Sequence, residues 1–200
     1  MGATMTNCSS RSSQQDGFSL IEVMVAITLL SIGILTLVAA FASSVASTQN
    51  AEENLIARQK ALQAMESIFT ARNTQQITFA QINNIPSGGI FTLGATPLWS
   101  AGTDGLVNTA DDVPFPANGV CPAGPECFPM PGPDGILGTP DDVPMSLANF
   151  TRSIAIAPVL QADGVTVNPN LRQITVTVTY QGGTGEQHSY TVLALISSFR

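Results

Sequence analysis

One carboxylate, Glu22, stands in a run that is otherwise uncharged from Phe18 to Ala42. A carboxylate inside a bilayer costs about 2.5–3.5 kcal/mol on insertion scales, so Glu22 needs a cationic partner or a shallow position near the interface. Further along, residues 102–114, GTDGLVNTADDVP, recur thirty positions later as residues 132–144, GPDGILGTPDDVP, with eight of thirteen positions identical. The copies carry Asp104, Asp111 and Asp112, then Asp134, Asp141 and Asp142. An Asp-Gly turn ahead of an Asp pair presents carboxylate and carbonyl oxygens of the kind calcium prefers. The alternating acids and terminal Glu of an EF-hand are missing. Two Asp-rich turns that need no metal account for the same pattern, and both readings stay open. Cys121 and Cys127 bracket the loop CPAGPEC. Their spacing is not C-x-x-C, which favours a structural disulfide over a redox pair. Two Cys and the single, distant His188 fall short of a four-ligand zinc set. His188 itself reads as a solvated residue beside a turn. With one His, no nucleophile elbow and no Gly-rich phosphate loop before a helix, nucleophilic catalysis has no visible machinery, and no enzyme is expected.

These residues need elements to position them. Val23 to Ala42 is a stretch of 20 uncharged, mostly apolar residues, which as a helix spans about 30 Å, the thickness of a bilayer's hydrocarbon. The small residues Ser31, Gly33, Ala39 and Ala40 offer surfaces on which helices can approach closely. Beyond Ser43 the pattern turns amphipathic. Leu55, Leu62 and Phe69 recur every seven residues, joined by Ala51, Met65 and Ile68, with Glu52, Arg58, Lys60 and Glu66 on other faces. A single helix is therefore expected from about Phe18 to Arg72, its second half packed on a domain. Residues 73–150 are punctuated by Gly and Pro and read as loop with short strands at most. In the last fifty residues, Thr151–Leu160, Leu171–Tyr180 and Ser189–Phe199 are separated by the turn-rich stretches ADGVTVNPN and QGGTGEQ. They predict a three-stranded antiparallel meander, one face of which the helix covers. The fold class is α+β, in four regions: a polar tail at 1–17, a helix at 18–72, acidic loops at 73–150 and a sheet at 151–200.

Composition limits the partners. Charged residues are 10 % of the chain, and the net charge of -7 is uneven, because no Lys or Arg occurs between Asn73 and Phe150. An acidic tract without bases argues against nucleic acid and anionic membrane surfaces. The tail lacks an apolar core, and the apolar run that follows is too long, and too free of a cleavage site on its far side, for an ordinary secretory signal. Arg11 before the span and Glu52 and Glu53 after it place the tail in the cytoplasm by the positive-inside rule. Cys121 and Cys127 then face an oxidising compartment, while Cys8 stays reduced.

Gly17 followed by FSLIEV, a long apolar helix and a C-terminal sheet resembles the type IV prepilins. The resemblance implies cleavage after Gly17 by a prepilin peptidase, N-methylation of Phe18, and a role for Glu22 in assembly, paired with the Phe18 amine of a neighbouring subunit. It also implies insertion in the bacterial inner membrane, with the leader in the cytoplasm and the domain in the periplasm. Packing with other pilins through the N-terminal helices would follow, and with it a place in an extracellular filament. The stretch MVAITLLSIGILTLVAAF is most similar to the PilV minor pilins, type IV pilus modification proteins. Ala39 stands where many major pilins carry a helix-kinking Pro. A pseudopilin of type II secretion shares the same N-terminus, and a calcium-dependent adhesin at a filament tip is the reading that would put the aspartate repeats to use. Apart from calcium, no cofactor is implied.

Overall fold

The computed structural model describes Gly17, residues 19–183 and residues 185–199. The leader residues 1–16, Cys8 among them, and Phe18 lie outside the described residues. Helix α1 runs unbroken from Leu20 to Asn73. Its start is set by Ser19, whose carbonyl accepts the N–H groups of Glu22 and Val23 at 3.0 and 3.2 Å. The chain divides into two compact units, one ending at Val45 and the other beginning at Ala46, and α1 contributes to both.

In the first unit every described residue is exposed, although an 18-residue window of α1 has a mean hydropathy of 2.6. This helix is long and apolar enough to cross a membrane. Its hydroxyls suit that setting. Thr28, Ser31 and Thr36 each donate to a backbone carbonyl three or four residues back, at 2.7–2.8 Å. Such bonds satisfy polar groups that hydrocarbon cannot.

The second unit is a four-stranded antiparallel sheet covered by the later turns of α1. Strands β1 (Ala95–Pro97), β4 (Phe150–Leu160), β5 (Val167–Gln181) and β6 (Gln187–Ser197) stand in the order β1-β4-β5-β6. Between them in sequence, β2 (Cys127–Met130) and β3 (Val143–Ser146) form a separate hairpin. The predicted meander is thus present as β4-β5-β6, with the short β1 added at its edge. The turn residues Val167–Asn170 are drawn into β5 through a register shift at Pro158/Val159. Alternation sends Ile154, Val176 and Val192 to the same face across three strands, with Ile156, Ile174 and Ala194 beside them. The opposite face carries Thr175, Thr177 and Thr179 on β5, with the exposed Leu193 and Leu195 on β6 beside them.

The face of α1 that packs on this sheet keeps Met65, Ile68 and the partly buried Phe69 of the expected stripe and leaves out its two leucines. Ala57, Ala61, Ala64, Met65, Ile68 and Ala71 are buried, and Leu55 and Leu62 remain 64 % and 44 % exposed. The spacing of both sets is helical, so periodicity alone does not separate them. Volume does: the sheet supplies bulky Ile and Val side chains, and the small alanines let the helix axis come close enough for them to fill the interface. Lys60, expected on a solvated face, is buried on the packing side. His188 is also half-buried, its ring stacked on Tyr180 at 5.5 Å.

The outer edge of β4 is closed by devices the sequence did not announce. β1 pairs with Thr151–Ser153, and the Asn84 side chain continues the ladder, donating to Ile154 O and accepting the Ile156 N–H, each at 2.8 Å.

Candidate functional site

At the N-terminal end, Gly17 has no atom of the described chain near the place a Cβ would occupy. Glu22 lies in the first turn of α1, exposed. An acidic side chain there is favoured by the helix dipole and lies beside the unpaired amide groups of the helix start. The site is therefore an exposed glycine ahead of an apolar helix that carries a carboxylate in its first turn. Residue 18 stands four positions before Glu22 in the sequence.

The six aspartates fall into two loops with one geometry. In each copy the second aspartate, Asp111 or Asp141, accepts the N–H of Asp104 or Asp134, at 3.2 and 3.3 Å. The first aspartate turns back on the chain. Asp104 and Asp134 accept the N–H groups of Leu106 and Ile136, both at 2.8 Å. The third, Asp112 or Asp142, accepts from Asn108 or Gly138, both at 2.7 Å. Thr109 and Thr139 complete the set with hydroxyl bonds to Asp111 and Asp141. Backbone angles repeat as well. Gly105 and Gly135 have φ of 68° and 69°, and Asn108 and Gly138 are both left-handed, at 60° and 92°. Gly102 and Gly132 lie so close to the Asp111 and Asp141 carboxylates that a Cβ would collide with them. These constraints account for the Gly, Asp and Thr positions that stay identical in the repeat.

The threonine hydroxyls beside Asp111 and Asp141 hold both carboxyls below the usual range. Burial instead raises Asp112, against the bonds it accepts from Asn108 and Thr109. Most carboxylate oxygens in these loops accept from N–H and O–H donors of the same loop, and Asp142 Oδ1 is buried without a partner. Among the described residues, no group of three or more His, Cys, Asp or Glu is placed to hold a metal ion.

Cys121 and Cys127 are joined by a disulfide and are both buried. The residue before the second cysteine is Glu126, which forms an ion pair with Lys60 of α1. Lys60 also lies over the Phe128 ring, 5.0 Å from its centroid. On the sheet side, the buried Arg152 donates through Nε to Asn108 Oδ1 at 2.6 Å, and Asn108 Nδ2 returns a bond to the Arg152 carbonyl at 3.1 Å. Burial lowers the Arg152 pKa, opposed by the charges of Glu126 and Asp112. Two cations and two anions thus hold the first aspartate loop and the disulfide loop to the helix and sheet. Sequence reasoning missed this cluster. Its only signal was that Arg152 is the first base after a long acidic tract without bases of its own; nothing in the sequence singled out Lys60.

Residues 12–38 match the family described as the Prokaryotic N-terminal methylation motif. Neither the curated proteins nor the solved structures gave a match. The matched segment contains Gly17, Phe18 and Glu22 together with most of the apolar span. It supports the type IV prepilin family for this N-terminus, the class of chain that prepilin peptidase cuts and that assembles through its N-terminal helix.

Proposed function

We propose that the chain is a minor type IV pilin of the PilV kind, cleaved after Gly17, methylated on Phe18 and incorporated into, or priming, a type IV pilus. The observation that carries this reading is the methylation motif over residues 12–38, continuous with an apolar span that no other part of the described chain covers. An uncovered apolar helix needs lipid before assembly and other helices after it, which is the life of a filament subunit held in a membrane until use. The domain after Ala46 supports the same reading. A helix seated on an antiparallel sheet, with a disulfide-stapled loop, is a rigid body of the kind a filament displays outside the cell.

Mass spectrometry of the mature chain tests the proposal. The expected N-terminus is methylated Phe18. A chain still beginning at Met1, in cells with an active prepilin peptidase, would overturn it.

A further inference from the structure

The two aspartate loops are one structure put to two uses. In the first, Leu106 and Val107 are 1 % and 8 % exposed and sit in the core. At the same positions of the second, Ile136 and Leu137 are 60 % and 57 % exposed. The first loop is tied down by Asn108, which bonds both Thr96 and Arg152. The second has Gly138 there and no side chain to anchor it. It lies at the tip of the β2–β3 hairpin and presents to solvent the apolar pair that its twin buries. Solvent does not favour such a pair, and the twin shows what does: an apolar pocket formed by protein.

The same unit carries an open groove of about 690 Å³, lined by Leu55, Arg58, Leu62, Glu66 and Phe128 among others. The leucines lie on the face of α1 that the sheet leaves uncovered, and Arg58 has no partner among the described residues. The exposure of Ile136 and Leu137 shows that the hairpin tip does not occupy the groove of its own chain. Charge is complementary. Asp134 spends one oxygen, Oδ1, on the Ile136 N–H, which leaves Oδ2 for a cation. Glu66, about 12 Å from Arg58 along the helix, disfavours the reversed orientation of an acidic tip.

We propose that the Ile136–Leu137 tip of one copy docks into the Leu55–Leu62–Phe128 groove of a second copy, with Asp134 facing Arg58. Tip and groove are different surfaces, so each copy offers one of each to a neighbour. The inference deepens the filament-subunit reading and rests on it for its setting.

The test uses the full chain in membranes of cells that hold prepilin peptidase, with photoreactive benzoylphenylalanine in place of Leu137. Illumination is expected to give a dimer whose cross-linked peptide falls between Leu55 and Glu66 of the second copy. Arg58→Glu is expected to lower the yield by about fivefold, and Asp134→Arg in the same chain to restore it. No dimer, cross-links to another protein or to a different segment, or a yield indifferent to Arg58→Glu would each overturn the docking. The N-terminal mass of the same sample separates the two ideas. Methylated Phe18 without a cross-link sinks the docking alone, whereas an uncut Met1 sinks the filament reading.

Discussion

Glu22 is the residue on which sequence and function meet most directly. Its charge is worth its insertion cost only when a cation joins it, and on the proposed function cleavage after Gly17 would release an amine that serves as that cation. Glu22→Val should therefore leave cleavage intact, since the cut peptide bond is elsewhere, and impair incorporation. Comparing processed protein in membranes with protein in sheared filaments checks this, and normal incorporation of the variant would remove the pairing argument. A second residue-scale prediction concerns the interior. Glu126 neutralises Lys60 directly and part of the Arg152 charge. Glu126→Ala leaves the buried Lys60 without its anion, and removing one partner of such a pair typically costs about 3–5 kcal/mol. Chemical denaturation of the full chain in detergent should show a matching fall in midpoint. An unchanged midpoint would mean the cluster is solvated and adds nothing. Both residues could be named from the sequence, but only Glu22 could be given a role. Its neighbours in sequence supply the context, whereas the partners of Glu126 are Lys60 and Arg152, far away along the chain.

At the scale of elements, α1 and the aspartate loops differ in how legible they were. The extent of the helix followed from an apolar run succeeded by a stretch free of Pro and Gly. Its packing face did not, because Leu55-Leu62-Phe69 and Ala57-Ala61-Ala64 are both helical stripes and the choice depends on the volume of the opposing sheet. Ala64→Leu should overpack that interface at a cost of about 1–3 kcal/mol, while Leu62→Ala should change stability by less than about 0.5 kcal/mol. Thermal melting distinguishes the two faces, and a larger loss for Leu62→Ala would restore the heptad. The loops make a pH prediction. Asp111 and Asp141 have folded-state pKa values below their ordinary 3.8. Their contribution to stability is therefore complete above that ordinary value and fades as the pH falls through the lower, folded one. Hydrogen exchange of the Asp134 amide, bonded to Asp141, should stay slow below pH 3.8 and quicken only in stronger acid. Loss of protection already at the ordinary value would contradict the lowered pKa. The raised Asp112 has the opposite sign, its share being complete below 3.8 and lost as the pH rises through its folded value.

For the whole molecule, the sequence by itself determined the long helix, the membrane-length span, the cleavage and methylation motif, the β4-β5-β6 meander and the pairing of two cysteines. Each of these is written in neighbouring residues, as a run, a period or a short spacing. The duplication of GTDGLVNTADDVP was visible as well, and it proved to be a duplication of hydrogen bonds and left-handed backbone positions. What only the tertiary structure decided was which copy docks, which face of α1 meets the sheet, and how Lys60, Glu126, Asn108 and Arg152 come together. Those outcomes depend on volume and on contacts between residues distant in the chain. Two nearly identical loops can therefore end with one apolar pair buried and the other at the surface, because the difference lies in what each loop meets.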